Sequence, residues 1–148
     1  MKMIRTRLLW VGRTKDRNLA ENIEYYRRLL SRYSHFSILE IKDERGKSAA
    51  VIREMEGERI LAASQSFILL DEQGRQLTST EFAKYISSLQ IADFVIGGAF
   101  GVSDDVRQQA KDSIALSRMT LTHEMARLVF MEQLFRAHSI LKGKGYHH

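Results

Sequence analysis

The side chains best able to do chemistry gather in the last third of this 148-residue chain. His123 and Arg127 stand four residues apart, and so do Glu132 and Arg136, a spacing that lets each pair meet on one face of an α-helix. Burying Glu132 without a partner would be costly, so it is expected to meet a cation. The pairs read in two ways, as an ion pair at an interface or as a cluster of anion-binding arginines beside a ligand. His138, on an apolar stretch, reads as a satisfied core histidine. The chain closes on Tyr146-His147-His148 after the basic, glycine-bearing Lys142-Gly143-Lys144-Gly145, a tail that either folds over a site or frays. Two adjacent histidines with no third ligand nearby in sequence make a weak metal site. The chain has no cysteine, which removes disulfides, thiolate metal ligands and thiol nucleophiles together.

Upstream of these residues lies a glycine loop. Asp93-Phe94-Val95-Ile96 is a short apolar run suited to a buried strand, and Gly97-Gly98-Ala99-Phe100-Gly101 follows it directly. Ser103, with Asp104 and Asp105 behind it, reads as an N-cap and acidic first turn that start a helix. A strand, glycine loop and helix in that order often bring backbone N–H groups to a ligand at the carboxyl edge of a sheet. The spacing fits neither the dinucleotide G-x-G-x-x-G nor the phosphate-loop pattern. The loop alone therefore reads equally as a tight structural turn.

The elements that must position these residues follow from periodicity. Ile4, Leu8, Leu9, Trp10 and Val11 predict a first strand, and Asp16 caps a helix whose Leu19, Ile23, Tyr26, Leu30 and Tyr33 share one face. Phe36 to Ile41 predict a second strand, and Ser48 to about Ala63 a second helix that Gly57 weakens. Phe67-Ile68-Leu69-Leu70 predict a central strand, followed by a turn through Asp71-Glu72-Gln73-Gly74. Thr78 and Glu81 form a capping box for a third helix. A helix to about Lys111, a short strand at Ile114-Ala115-Leu116 and a last helix from Thr122 to about Leu141 complete the pattern. Five alternations of strand and helix imply a single α/β domain with a mostly parallel sheet and helices on both faces. The last helix is apolar on more than one face, which points to a second subunit and hence a homodimer.

At 44% hydrophobic residues and 148 in all, the chain suits one buried core rather than two. No run approaches the length of a membrane span and no signal peptide begins the sequence, so a soluble cytoplasmic protein is expected. The net charge of +5 is uneven. From Met1 to His35, Lys2, Arg5, Arg7, Arg13, Lys15, Arg17, Arg27, Arg28 and Arg32 face only Asp16, Glu21 and Glu24. Such a face suits a phosphate backbone, or simply a solvated surface.

The combination Leu70-Asp71-x-x-Gly74, Ile96-Gly97-Gly98-x-x-Gly101, Leu116-Ser117-x-Met119-Thr120-Leu121-x-His123, Arg127, Glu132, Phe135-Arg136-Ala137 and Tyr146-His147 resembles the SPOUT-class ribosomal large-subunit methyltransferase H family over essentially the whole chain. The resemblance implies a SPOUT fold with a C-terminal trefoil knot, against the usual absence of knots. It implies S-adenosylmethionine as cofactor and N3 of a pseudouridine in 23S ribosomal RNA as target. Leu70, Gly97, Leu116, Ser117, Arg118, Met119, Thr120 and Leu121 would wrap the cofactor. Arg127, Glu132, Arg136, Tyr146 and His147 would approach the RNA, with one subunit's tail completing the other's site. Thr122 and Gly145 stand where the family commonly has proline, and His148 where Arg or Lys usually follows.

That chemistry suits the residues at hand. Methyl transfer from a sulfonium needs no metal, only alignment of the methyl carbon with its nucleophile. The N3–H proton must also leave, and His123 and His147 are the candidate neutral bases, with solvent as the alternative. Few aromatics are available for stacking, which favours a preformed ribosomal surface over a free single strand. Gly97 is read as the point where backbone meets cofactor, so Gly97→Val is expected to abolish binding and spare the fold. Two other readings compete: a nucleotide- or dinucleotide-binding enzyme of doubly wound fold, and a non-catalytic ribosome-associated RNA-binding protein. The first lacks an acid at the ~20-residue spacing of a ribose contact.

Overall fold

A computed structural model describes residues 4–143. The chain runs β1 (Arg5–Val11), α1 (Arg17–Leu30), β2 (His35–Ile41), α2 (Ala49–Ala63), β3 (Ile68–Gln76), α3 (Ser79–Ser87), β4 (Ile91–Ile96), α4 (Asp104–Gln109), β5 (Asp112–Ala115) and α5 (His123–Leu141). One five-stranded sheet has the order β2-β1-β4-β3-β5 with every pairing parallel. The strands alternate side chains between two faces, as their pleat requires. Leu8, Trp10, Phe94 and Ile96 join the core under α1, α3 and α5. Leu9, Val11 and Val95 point the other way, into the core shared with Ile60 of α2 and Val106 of α4.

Each helix starts on a side chain that accepts a hydrogen bond from the N–H three residues on: Asp16, Ser48, Thr78, Ser103 and Thr122. Caps of this type contribute about 1 kcal/mol each. Thr78 and Glu81 complete a reciprocal box, as expected. Thr122, where the resembling family commonly has proline, caps α5 by accepting from the Met125 N–H at 3.1 Å. Gly57, inside α2, has a packing reason: a Cβ there would lie 2.6 Å from Ser103 Oγ, so α2 sits close against the start of α4.

One expectation changes. The segment Asp71-Glu72-Gln73-Gly74 is not a turn that ends the strand. β3 continues through it to Gln76 and pairs again with β5 after an irregularity between Leu70 and Arg75. Gly74 lets the strands close there, since a Cβ would meet the Ile114 backbone nitrogen at 2.6 Å. Part of the apolar circumference of α5 is covered within one chain. Phe130, Met131 and Leu134 are fully buried, Phe130 against Phe82 of α3 and Phe94 of β4, while Phe135 meets Tyr26 of α1. A stripe through Met125, Leu128, Val129 and Ile140 stays partly exposed, so the homodimer expectation is neither met nor overturned within one chain. Large apolar side chains left in solvent include Phe100 and Met119 beside the cleft and Met125 in the first turn of α5.

Candidate active site

The irregular middle of β3 and the loops leaving the carboxyl ends of β4 and β5 enclose a cleft of about 590 Å³, within the usual range for a small-molecule site. The glycine loop after β4 forms its floor. Gly101 N–H donates to the Gly98 carbonyl at 3.0 Å, and Gly101 holds a φ of 82°, which favours glycine. A Cβ on Gly97 would lie 2.6 Å from Val102 Cγ1 and 3.0 Å from the Gly101 carbonyl carbon. Gly97 is therefore required by the loop's own closure, and the expectation that Gly97→Val spares the local fold does not hold. Behind the loop, a Cβ on Gly98 would lie 2.7 Å from the buried Glu56 Oε1, while Glu56 Oε2 accepts from the Glu44 N–H. Desolvation raises the Glu56 pKa above the ordinary carboxyl range.

The opposite wall is the segment between β5 and α5. Ser117 Oγ accepts from the Met119 N–H at 2.9 Å, a local turn that folds the segment back. Thr120 Oγ1 donates to Glu72 Oε2 at 2.5 Å, which ties this segment to the irregular part of β3. Asp71, beside Glu72, forms an ion pair with Arg107 of α4. The cleft is thus lined by apolar Leu70, Ile96, Leu116 and Leu121, polar Ser117 and Thr120, and the charged Asp71, Glu72 and Arg107.

Among the expected cofactor residues, Leu70, Gly97, Leu116, Ser117, Met119, Thr120 and Leu121 all line this one cleft. Arg118 belongs to the same segment, but its side chain is exposed and lies outside the lining. His123, the first residue of α5, also lines the cleft. Burial, helped by the positive field of Arg127, holds its pKa below the ordinary histidine value, so the imidazole is neutral near pH 7.

Arg127, expected to approach the RNA, is buried instead. Its guanidinium donates to the Val11 carbonyl and to Thr14 Oγ1, both at 2.8 Å, and lies over the Trp10 ring. With 0% exposure it joins α5 to the end of β1 and has no free face for a nucleic acid. Glu132 and Arg136 do pair, Nη2 to Oε1 at 2.8 Å, on a half-buried face of α5. His138 is a core residue stacked on Tyr33, but its Nε2 has no hydrogen-bond partner among the described residues. Tyr146 and His147 lie outside the described residues. Asp71, Glu72 and Arg107 line the cleft without standing out in the sequence as site residues. Asp71 is visible there within the Leu-Asp-x-x-Gly segment, but its turn-forming composition hides the strand that aims it into the cleft.

Fold and cleft together define an α/β domain with an open cleft at the carboxyl edge of a parallel sheet, the edge where such folds take their ligands. The family described as Predicted SPOUT methyltransferase matches residues 4–147. Curated proteins named Ribosomal RNA large subunit methyltransferase H are similar along the whole chain. The one from Geotalea uraniireducens is 42% identical, covering 100% of both chains. That from Geobacter sulfurreducens is 42% identical over 98% of this chain and 100% of its own. That from Thermodesulfovibrio yellowstonii is 38% identical over 99% and 100%. The chain therefore belongs to the SPOUT methyltransferases, in the ribosomal RNA large subunit methyltransferase H family. Among the described residues no helix is long and apolar enough to cross a membrane, and no group of three or more His, Cys, Asp or Glu side chains could hold a metal ion.

Proposed function

We propose that this methyltransferase transfers a methyl group from S-adenosylmethionine to N3 of a pseudouridine in 23S ribosomal RNA, with the assembled ribosome as substrate. The observation that carries the reading is the convergence of Leu70, Gly97, Leu116, Ser117, Met119, Thr120 and Leu121 on a single cleft. Its chemistry fits the cofactor: apolar walls suit the nucleoside and methylene carbons, while the Asp71 and Glu72 carboxylates offer negative charge to a sulfonium and acceptors to hydroxyls. Bound S-adenosylmethionine supplies an electrophilic methyl group, and the rest of the task falls to the chain.

That task is mainly positioning. The glycine loop, fixed by its own turn, and the segment tied down by Thr120 and Glu72 hold the two sides of the cleft at a set separation. His123, neutral and lining the cleft, is one candidate to accept the N3–H proton; His147 is the other, in the tail outside the described residues. Arg136, with Glu132, and Tyr146 remain assigned to the RNA side. Arg127 acts at one remove, by holding α5 to β1. A homodimer completes the proposal, built on the last helix through its partly exposed Met125, Leu128 and Val129, with the tail of one subunit reaching the other's site. One domain, a C-terminal trefoil threading and a cytoplasmic location belong to the same reading.

The test is methyl incorporation from labelled S-adenosylmethionine into purified ribosomes from cells lacking the enzyme, with mapping of the modified nucleotide. Label at N3 of one pseudouridine in 23S RNA is expected. Label on another base, or none, overturns the assignment.

A further inference from the structure

The loop between β1 and α1, residues 12–16, is held by the first turns of α5 from several directions. Glu124 Oε1 accepts from two successive backbone groups, the Lys15 N–H at 2.9 Å and the Asp16 N–H at 3.0 Å. Arg127 donates to the Val11 carbonyl just before the loop and to Thr14 within it. Asp16 uses its own carboxylate to accept from the Leu19 N–H, which fixes the start of α1. A five-residue connection is thereby pinned at both ends and in the middle. Most of these acceptors and donors have gone to backbone, which leaves the outward side chains to set the character of the surface.

Those side chains are Arg13, Lys15 and, at the first position of α1, Arg17, all exposed. Elsewhere on the molecule arginines commonly meet acids: Arg7 with Asp93, Arg27 with Glu24, Arg59 with Glu44, Arg75 with Asp112 and Arg107 with Asp71. Among the described residues no acid pairs with Arg13, Lys15 or Arg17. Asp16 and Glu124 give their carboxylates to N–H groups of the backbone, and Asp43, whose side chain lies against Gly12, pairs with Arg45. The position matters as much as the charge. Glu124 follows His123, which lines the cleft, and Lys15 is close enough to His123 for its charge to act on the imidazole. Three cations without an acidic partner among the described residues, on a loop hydrogen-bonded to the helix turn that brings His123 to the cleft, are suited to a polyanion whose one base must enter that cleft. Phosphate contacts fix register and orientation, and a pinned loop loses little freedom on making them.

We infer that Arg13, Lys15 and Arg17 seat the phosphate backbone of the RNA strand entering the cleft, and that Glu124 is the positioning residue that holds this loop in register with His123. This rests on the methyltransferase reading and adds the substrate contact to it. A structural role alone would require Glu124 but would leave the three cations replaceable.

The experiment compares the wild-type chain, an Arg13→Ala/Lys15→Ala/Arg17→Ala variant, Glu124→Ala and Glu124→Gln. Methyl transfer to ribosomes is measured against ribosome concentration, S-adenosylhomocysteine affinity by calorimetry, and binding to protein-free 23S RNA against salt. The triple variant is expected to raise KM for ribosomes on the order of tenfold, with a much smaller change in kcat and unchanged cofactor affinity. Its plot of log affinity against log salt should be flatter by about 2 to 3, roughly one unit for each phosphate no longer neutralised. Glu124→Ala should raise KM in the same sense, and Glu124→Gln, whose amide oxygen still accepts, should recover most of it. An unchanged KM and salt slope in the triple variant overturns the proposal. So does weakened binding to ribosomes with normal binding to protein-free RNA, which would mark an acidic ribosomal protein as the partner. If the wild-type chain transfers no methyl group, the methyltransferase reading fails separately, and the salt slope on RNA alone then decides the role of the loop.

Discussion

The Arg127 guanidinium lies 4.7 Å from the centre of the Trp10 ring, enclosed between α5 and the end of β1. It is a buried cation held by a carbonyl, a hydroxyl and a ring face, and burial lowers its pKa relative to free arginine. Removing it strands the Val11 carbonyl and the Thr14 hydroxyl, at roughly 1–3 kcal/mol for each unsatisfied group. Arg127→Ala should therefore lower unfolding stability by about 3 kcal/mol in urea titrations. Arg127→Lys should recover only part, because an ammonium cannot reproduce the planar fork that reaches both acceptors. A variant as stable as the wild type would show that the guanidinium is dispensable to the fold and reopen a direct role for Arg127 at the RNA.

Gly97 and Val102 provide the second prediction. The contact at issue is internal to the loop, where a Cβ on Gly97 meets Val102 Cγ1 at 2.6 Å. Gly97→Ala should weaken S-adenosylhomocysteine binding and lower stability together, each by on the order of 1 to 3 kcal/mol from overpacking. Val102→Ala opens the space, so the double variant should bind better than Gly97→Ala alone. Calorimetry on the three variants reads the coupling. Strict additivity would place the glycine's role at the ligand instead, as the sequence alone suggests.

What the sequence reveals and what it conceals divide along range. Asp16, Ser48, Thr78, Ser103 and Thr122 are legible as helix starts because a cap is settled within three residues of itself. The continuation of β3 is not, since Asp71 to Gly74 have turn composition and the strand resumes only because Arg75 and Gln76, beyond the irregularity, pair with β5 far along the chain. Arg127 shows the same limit at the site. Its charge reads as a surface or ligand-binding feature, and the partners that make burial tolerable lie 113 and 116 residues away. The cofactor segments are recoverable through resemblance, because their order and spacing recur, whereas the Glu72–Thr120 tie between them depends on a fold the spacing does not describe.

His138 supplies a pH dependence. Burial, reinforced by Lys142, lowers its pKa to about 4, while the unfolded value is near 6.5. For a histidine depressed in the folded state, the unfolded chain takes up the proton first as pH falls. Stability contributed by the neutral form is therefore intact above about pH 6.5 and is lost between there and about pH 4. The loss from this one residue is of the order of 3 kcal/mol. His138→Phe keeps a ring against Tyr33 and has nothing to titrate, so its stability should fall less than the wild type between pH 7 and 4.5. Parallel curves for the two proteins would remove His138 as the cause.

The tail offers the last prediction, and it also tests the proposed dimer. Lys142 sits with its ammonium 4.7 Å from the Tyr33 ring, so the chain leaves α5 from a held position, while Tyr146 and His147 lie beyond the described residues. If those two residues close over the RNA base, deleting residues 146–148 should cut methyl transfer to ribosomes by ~10²-fold, the scale of a lost positioning group. Thermal stability and S-adenosylhomocysteine affinity should hardly change, because the core and the cleft lining are intact. A tail that only frays would leave all three measurements where they were. Mixing the deletion chain with full-length Gly97→Ala then asks which subunit supplies the tail. With tail and cleft drawn from different subunits, a mixed dimer collects both defects in one site and leaves the other whole, so activity should rise above either parent. With both drawn from the same subunit, each site keeps one defect and mixing restores nothing, even when exchange of subunits is demonstrated by mass spectrometry.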